Sequence, residues 1–124
     1  MFILAQILVA VVAALHLFFL LLEMVWWDTP RGHKAFNLDP DFATRSKALA
    51  ANQGLYNGFL AAGLVWGLFT AFTAGAAAAR PIETFFLICV IVAGAYGAAT
   101  VSRRILIIQA LPALVALGAV WLSS

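Results

Sequence analysis

Glu23 and His16 are the only ionisable groups in the first apolar run of this 124-residue chain, and they lie seven residues apart. A carboxylate and an imidazole on one helix face can move a proton or hold a polar group, although about 10 Å of helix axis separates them. A second run, "LAANQGLYNGFLAAG" (Leu49 to Gly63), adds Asn52, Gln53, Tyr56 and Asn57 within six residues. Asn52 and Tyr56 are four apart, as are Gln53 and Asn57, so each pair shares a strip of helix. Tyr96, Thr100 and Gln109 follow further along the chain. This set suits proton transfer on a lipophilic molecule, or simply the binding of one. Glu23 and His16 are the candidates for catalysis, and all nine residues are candidates for ligand contact.

Other chemistries find no support. The chain has no HExxH, no phosphate-cradling glycine loop and no nucleophile elbow. Its single cysteine, Cys89, can form neither an internal disulfide nor a cysteine cluster, and reads as a small buried apolar residue. His33 falls in a polar loop, so His16, His33 and Cys89 do not make a metal site. No metal and no cofactor is expected. The net charge of +2 is small, and the basic residues form no stripe for nucleic acid.

Composition dictates the elements that hold these residues. Of the residues, 65% are hydrophobic and 10% charged. A soluble domain of this size cannot hide so much apolar surface, so the expected solvent is lipid. Lipid leaves no partner for free backbone groups, so the apolar runs must be helices. The gaps between charges predict an all-α bundle of four transmembrane helices, at about 2–27, 48–74, 83–101 and 105–122, within one membrane domain covering 1–124. The first run does not read as a signal peptide, since it has no basic start and is too long. Residues 28–47 form a polar loop opened by "WWDTPRG", in which Asp39 caps a short interfacial helix. Arg31, Lys34, Arg45, Lys47, Arg103 and Arg104 fall in the first and third connections, against Arg80 alone in the second. That asymmetry predicts a cell-membrane protein with both termini outside the cytoplasm.

Counting inward from the cytoplasmic ends puts Glu23, Asn52, Gln53, Tyr56, Asn57, Tyr96, Thr100 and Gln109 in one layer, in the cytoplasmic third of the bilayer. The rest of the spans is nearly uniformly apolar, with His16 near the midplane the main exception. Gly54 with Gly58, and Gly63 with Gly67, are small pairs that let helices approach, and the outer pair offers a face for self-association. Pro112 frees the carbonyl near Ile108 and is expected to kink the fourth helix.

The sequence resembles a family of small four-helix membrane proteins catalogued as domain of unknown function 1304. The likeness covers nearly the whole chain and rests on "ALHLFFLLLEMVWWDTPRG", "KALAANQGLYNGFLAAGLVWG", "AGAYGAAT" and "QALPAL". It implies that His16, Glu23, Trp27, Asn52, Gln53, Tyr56, Asn57, Tyr96, Thr100, Gln109 and Pro112 belong to the family pattern. It implies no activity.

Each polar group also has a plain structural reading. Glu23 can snorkel toward Arg31 or Arg104, His16 can bond a backbone carbonyl, and the amides can join helices. Three functions therefore stand side by side. One is a cytoplasm-facing pocket that binds, or isomerises, a small lipophilic ligand. Another is a structural or partner-binding membrane subunit. The third is a small proton-coupled exporter.

Overall fold

The computed structural model describes residues 1–123; Ser124, the last residue of the expected domain, lies outside them. The fold is all-α. Helix α1 spans Phe2–Met24, α2 Pro30–Phe36, α3 Pro40–Ala74 and α4 Ala76–Thr100; a π-helical turn, Leu106–Ala110, then leads into α5, Leu111–Leu122. Helices α1, α3 and α4 are each long and apolar enough to cross a membrane. Leu106–Leu122 is apolar but shorter than those three, and its first turn is π-helical.

The helix boundaries differ from the sequence expectation for local reasons. Helix α1 stops at Met24 rather than Trp27, because the N–H groups of Val25 and Trp26 both turn back to the Leu21 carbonyl. The expected loop at 28–47 holds α2, which starts at Pro30 behind the N-cap Thr29 and ends at Asn37 in the left-handed conformation (φ 52°). The expected interfacial helix at Pro40 is instead the first part of α3. Asp39 does cap it, accepting from the Phe42 N–H at 3.1 Å, but nothing ends it before Ala74.

One residue, Gly75, separates α3 from α4, with φ at +94°. L-residues rarely adopt that conformation. The alanines that follow favour helix, so α4 begins at Ala76, seven residues before the expected start at Glu83. After α4, Ser102 and Arg103 carbonyls accept from Ile105 and Leu106 to make the tight "SRR" turn. Pro112 has no N–H for the Ile108 carbonyl, and the Leu111 N–H reaches back to Leu106 instead. The expected kink therefore takes the form of a π turn.

The chain divides into two compact units. The first takes Met1–Ala13 and Leu60 onward. Its core is small and apolar: Ala5, Val9, Val12, Leu64, Leu87, Val90, Ala113 and Ala116 are all essentially sealed. Alanine and glycine allow close approach there. A methyl at Gly94 would meet the Ala110 backbone nitrogen at 2.8 Å, and one at Gly63 would strike the Phe86 ring. Large apolar side chains such as Phe69, Phe72, Phe85 and Val92 point outward, as lipid contact requires.

The second unit is Ala14–Phe59. Polar ties hold its loop against α3. Trp27 Nε1 donates to Ser46 Oγ at 3.0 Å, and Thr44 Oγ1 donates to Asp28 Oδ2 at 3.0 Å. The Arg31 guanidinium lies 4.4 Å from the centre of the Trp26 ring. Gly32 is buried against the Trp26 and Trp27 carbonyl oxygens, where no side chain fits.

Candidate functional site

The second unit holds a buried carboxylate with an amide on each oxygen. Glu23 sits in the last turn of α1 and is 3% exposed. Gln53 Nε2 donates to its Oε2, and Asn57 Nδ2 donates to its Oε1 at 2.5 Å. Both donors lie on α3, four residues apart, so they form one strip directed at Glu23. Gly54, between them in sequence, makes the approach possible. A methyl there would lie 2.6 Å from Met24 Cγ and 3.0 Å from Glu23 Cβ. Gly58, one turn on, does the same against Leu20. Two charge-assisted hydrogen bonds offset part of the cost of burying Glu23.

The other expected site residues are placed differently. His16 is completely buried, its ring edge-on to Phe19 at 5.2 Å. Asn52 and Tyr56 share the neighbouring strip of α3 and are exposed, Tyr56 by 59%. The Tyr56 ring meets Phe59 edge-on at 5.6 Å. In the first unit, Tyr96 is 73% exposed, and the Thr100 hydroxyl is spent on the Tyr96 carbonyl at 2.7 Å. Gln109 is half-buried on the π turn. Of the nine candidates, Glu23, Gln53 and Asn57 are thus joined by hydrogen bonds, while Asn52, Tyr56, Tyr96 and Thr100 are exposed.

The loop beside this site carries a second polar group. His33 Nε2 and Asp28 Oδ1 lie 3.1 Å apart, and Thr44 donates to the other oxygen of Asp28. The hydrogen bond with His33 holds the Asp28 carboxyl below its ordinary value of 3.8, against partial desolvation, with Thr44 and the charge of Lys47 acting in the same downward direction.

Sequence reasoning missed a second buried carboxylate. Glu83 is 1% exposed and Gln6 is 3% exposed, both in the first unit. Gln6 Nε2 reaches Glu83 Oε2 at 3.5 Å. Reading spans from the gaps between charges placed Glu83 at a span end, whereas the alanine run carries α4 back to Ala76 and puts Glu83 two turns inside it. Gly67 is the available signal: a methyl there would lie 2.6 Å from Glu83 Cγ, so that glycine serves Glu83.

Comparison with known proteins places the chain in a family. The family model described as "Protein of unknown function (DUF1304)" matches residues 10–121. The chain is also similar to "Uncharacterized protein YpaA" of Lactococcus lactis, with 30% identity over 114 residues, covering 90% of this chain and 92% of the relative. No solved structure matches.

Proposed function

The chain belongs to the DUF1304 family, and from that premise and the Glu23 geometry we propose that it is an integral membrane protein that binds a small lipophilic ligand at Glu23, Gln53 and Asn57. The observation that carries this reading is the buried Glu23 carboxylate with an amide donor on each oxygen. An amide that donates through nitrogen still has a carbonyl oxygen to offer, and the carboxylate keeps further lone pairs. Gln53 is exposed and Asn57 half-buried, so these two amides, unlike the buried Glu23 carboxylate, are accessible from the surrounding medium. The matching ligand is apolar with a hydroxyl or amine donor. Exposed Asn52 and Tyr56 lie on the adjoining strip and extend the polar surface such a ligand would meet.

The topology proposed with it has four crossings, the last made by the π turn and α5 together, and both termini outside. Its support is the concentration of Arg31, Lys34, Arg45, Lys47, Arg103 and Arg104 in two connections. The Glu23 cluster then opens toward the cytoplasmic side of the bilayer. Self-association is proposed as well, through the outward apolar faces and not through Gly63 and Gly67, which are buried against Phe86 and Glu83 within the first unit.

A second reading has its own observation. Glu23 is already matched by two amides of its own unit, and such a closed set also serves to fix helix register. Extraction decides between them. The protein is purified in mild detergent and its organic extract analysed by mass spectrometry, wild type beside Glu23→Gln. A lipophilic compound enriched with wild type and lost from a folded variant is the expected result. Identical extracts from the two proteins would overturn the ligand reading and leave the structural one.

A further inference from the structure

Gln6 and Glu83 leave two buried acceptors facing a shortage of hydrogens. Only one long hydrogen bond joins them, from Gln6 Nε2 to Glu83 Oε2 at 3.5 Å. Gln6 Oε1 and Glu83 Oε1 are both sealed from the surroundings and receive no hydrogen bond. An ionised carboxylate and an amide carbonyl can only accept, so neither oxygen can satisfy the other. Buried polar atoms left in this condition are costly, and they call for a donor.

We propose that Gln6 and Glu83 form a proton-binding site, in which Glu83 carries a proton on Oε1 and donates it to Gln6 Oε1. A single proton then satisfies both orphaned oxygens. With the existing bond from Gln6 Nε2 to Glu83 Oε2, it closes a two-bond ring between a carboxylic acid and an amide. Binding takes one proton from water onto the carboxylate, and release returns it; no other bond forms or breaks. The site is built for a ligand without volume. Glu83 Cγ is pressed against Gly67, where even a methyl would lie at 2.6 Å. Two oxygens are also too few for a calcium or magnesium ion, which takes about six.

Among the described residues no cation forms an ion pair with Glu83. Among the described residues of this unit, Met1–Ala13 carries only the Met1 amino group, Leu60 to Ala74, the π turn and α5 carry no ionisable side chain, and Arg103 and Arg104 lie in the turn after α4. On α4 itself the titratable and charged groups are Arg80, Cys89 and Tyr96. Tyr96 is largely exposed. Arg80, one turn from Glu83, donates through Nη2 to the Ser123 carbonyl at 2.5 Å and lies 5.3 Å from the centre of the Trp121 ring, while its buried Nε has no hydrogen-bond partner. The proton is therefore the ligand the chemistry of the site accepts. The site stands in the first unit, on residues separate from Glu23, and does not depend on the ligand proposed there.

Infrared spectroscopy of the full chain in lipid bilayers at neutral pH tests this directly, because a protonated carboxyl has its own C=O stretch that deuteration shifts. The expected result is an acid band that is lost in Glu83→Gln, kept in Glu23→Gln and moved in Gln6→Leu, where the hydrogen bond to the amide is gone. An acid band unchanged by Glu83→Gln, or no acid band at all, overturns the proposal. If Glu83→Gln fails to fold, Gln6→Leu still decides: a moved band supports the site, and an unmoved one overturns it.

Discussion

Asn57 Nδ2 donates to Glu23 Oε1 at 2.5 Å, joining positions 34 residues apart in the chain. Together with Gln53, this bond makes the Glu23 carboxylate a fixed feature of its unit rather than a charge reaching for the interface. Removing a partner from a buried acceptor costs more than the bond itself was worth. Asn57→Leu is therefore expected to lower stability by about 1–3 kcal/mol. Adding Glu23→Gln should recover part of that loss, because the neutral amide needs less compensation. Thermal unfolding of the two single variants and the double variant in detergent checks this coupling; strictly additive losses would show that the two side chains do not act together.

Acid sensitivity should trace to the loop. The Asp28 carboxyl is held below its ordinary value of 3.8 chiefly by its hydrogen bond with His33. The folded value is depressed, so the contribution of Asp28 to stability is fully present above 3.8 and is lost as pH falls through the lower folded value. Melting curves taken across that acid range should fall more steeply for wild type than for Asp28→Asn. Parallel curves would remove Asp28 as the cause.

The glycines should separate by what lies opposite them. At Gly118 nothing lies within 4 Å, and it stands inside α5. Gly118→Ala is expected to be neutral or to stabilise by up to about 1 kcal/mol through helix propensity. At Gly94 a methyl would meet the Ala110 nitrogen at 2.8 Å, and backbone cannot swing aside. Gly94→Ala should cost about 1–3 kcal/mol as overpacking. Relative melting temperatures of the two variants check the order; equal values would mean that α4 and the π turn do not pack as closely as described.

Topology gives a separate expectation. Reporter enzymes fused after the last helix should be active only outside the cytoplasm, as expected for four crossings with the Arg31-to-Lys47 connection inside. A cytoplasmic signal would leave the three long helices as the crossing set.

How much of this was legible in the sequence follows from the physics of each element. The all-α membrane class came from composition, while counting along the helices put Glu23 level with Asn52, Gln53, Asn57 and Gln109 without saying which of them it meets. Depth along a helix can be counted, but facing cannot when both lipid and core are apolar. Tyr96 and Thr100 were assigned to the polar layer by counting alone, yet both lie on an exposed face, and no amphipathic pattern marks the difference. Glu83 was hidden because the third span was taken to begin at it, while the alanine run that carries α4 back to Ala76 has the composition of a linker. The start of α3 at Pro40 was obscured for the opposite reason. Asp41, Arg45 and Lys47 look like a loop, but a helix that extends beyond the bilayer has no need of apolar residues.

The most direct test of the central claim is the melting temperature of wild type and Glu23→Gln in lipid nanodiscs, with and without the compound extracted from the wild-type protein. A ligand that binds the folded state raises its melting temperature as the free ligand concentration rises above its Kd. The expected result is a concentration-dependent rise for wild type and none for Glu23→Gln, with both proteins folded in the absence of the compound. An equal rise in both, or none in either, would contradict a ligand site at Glu23.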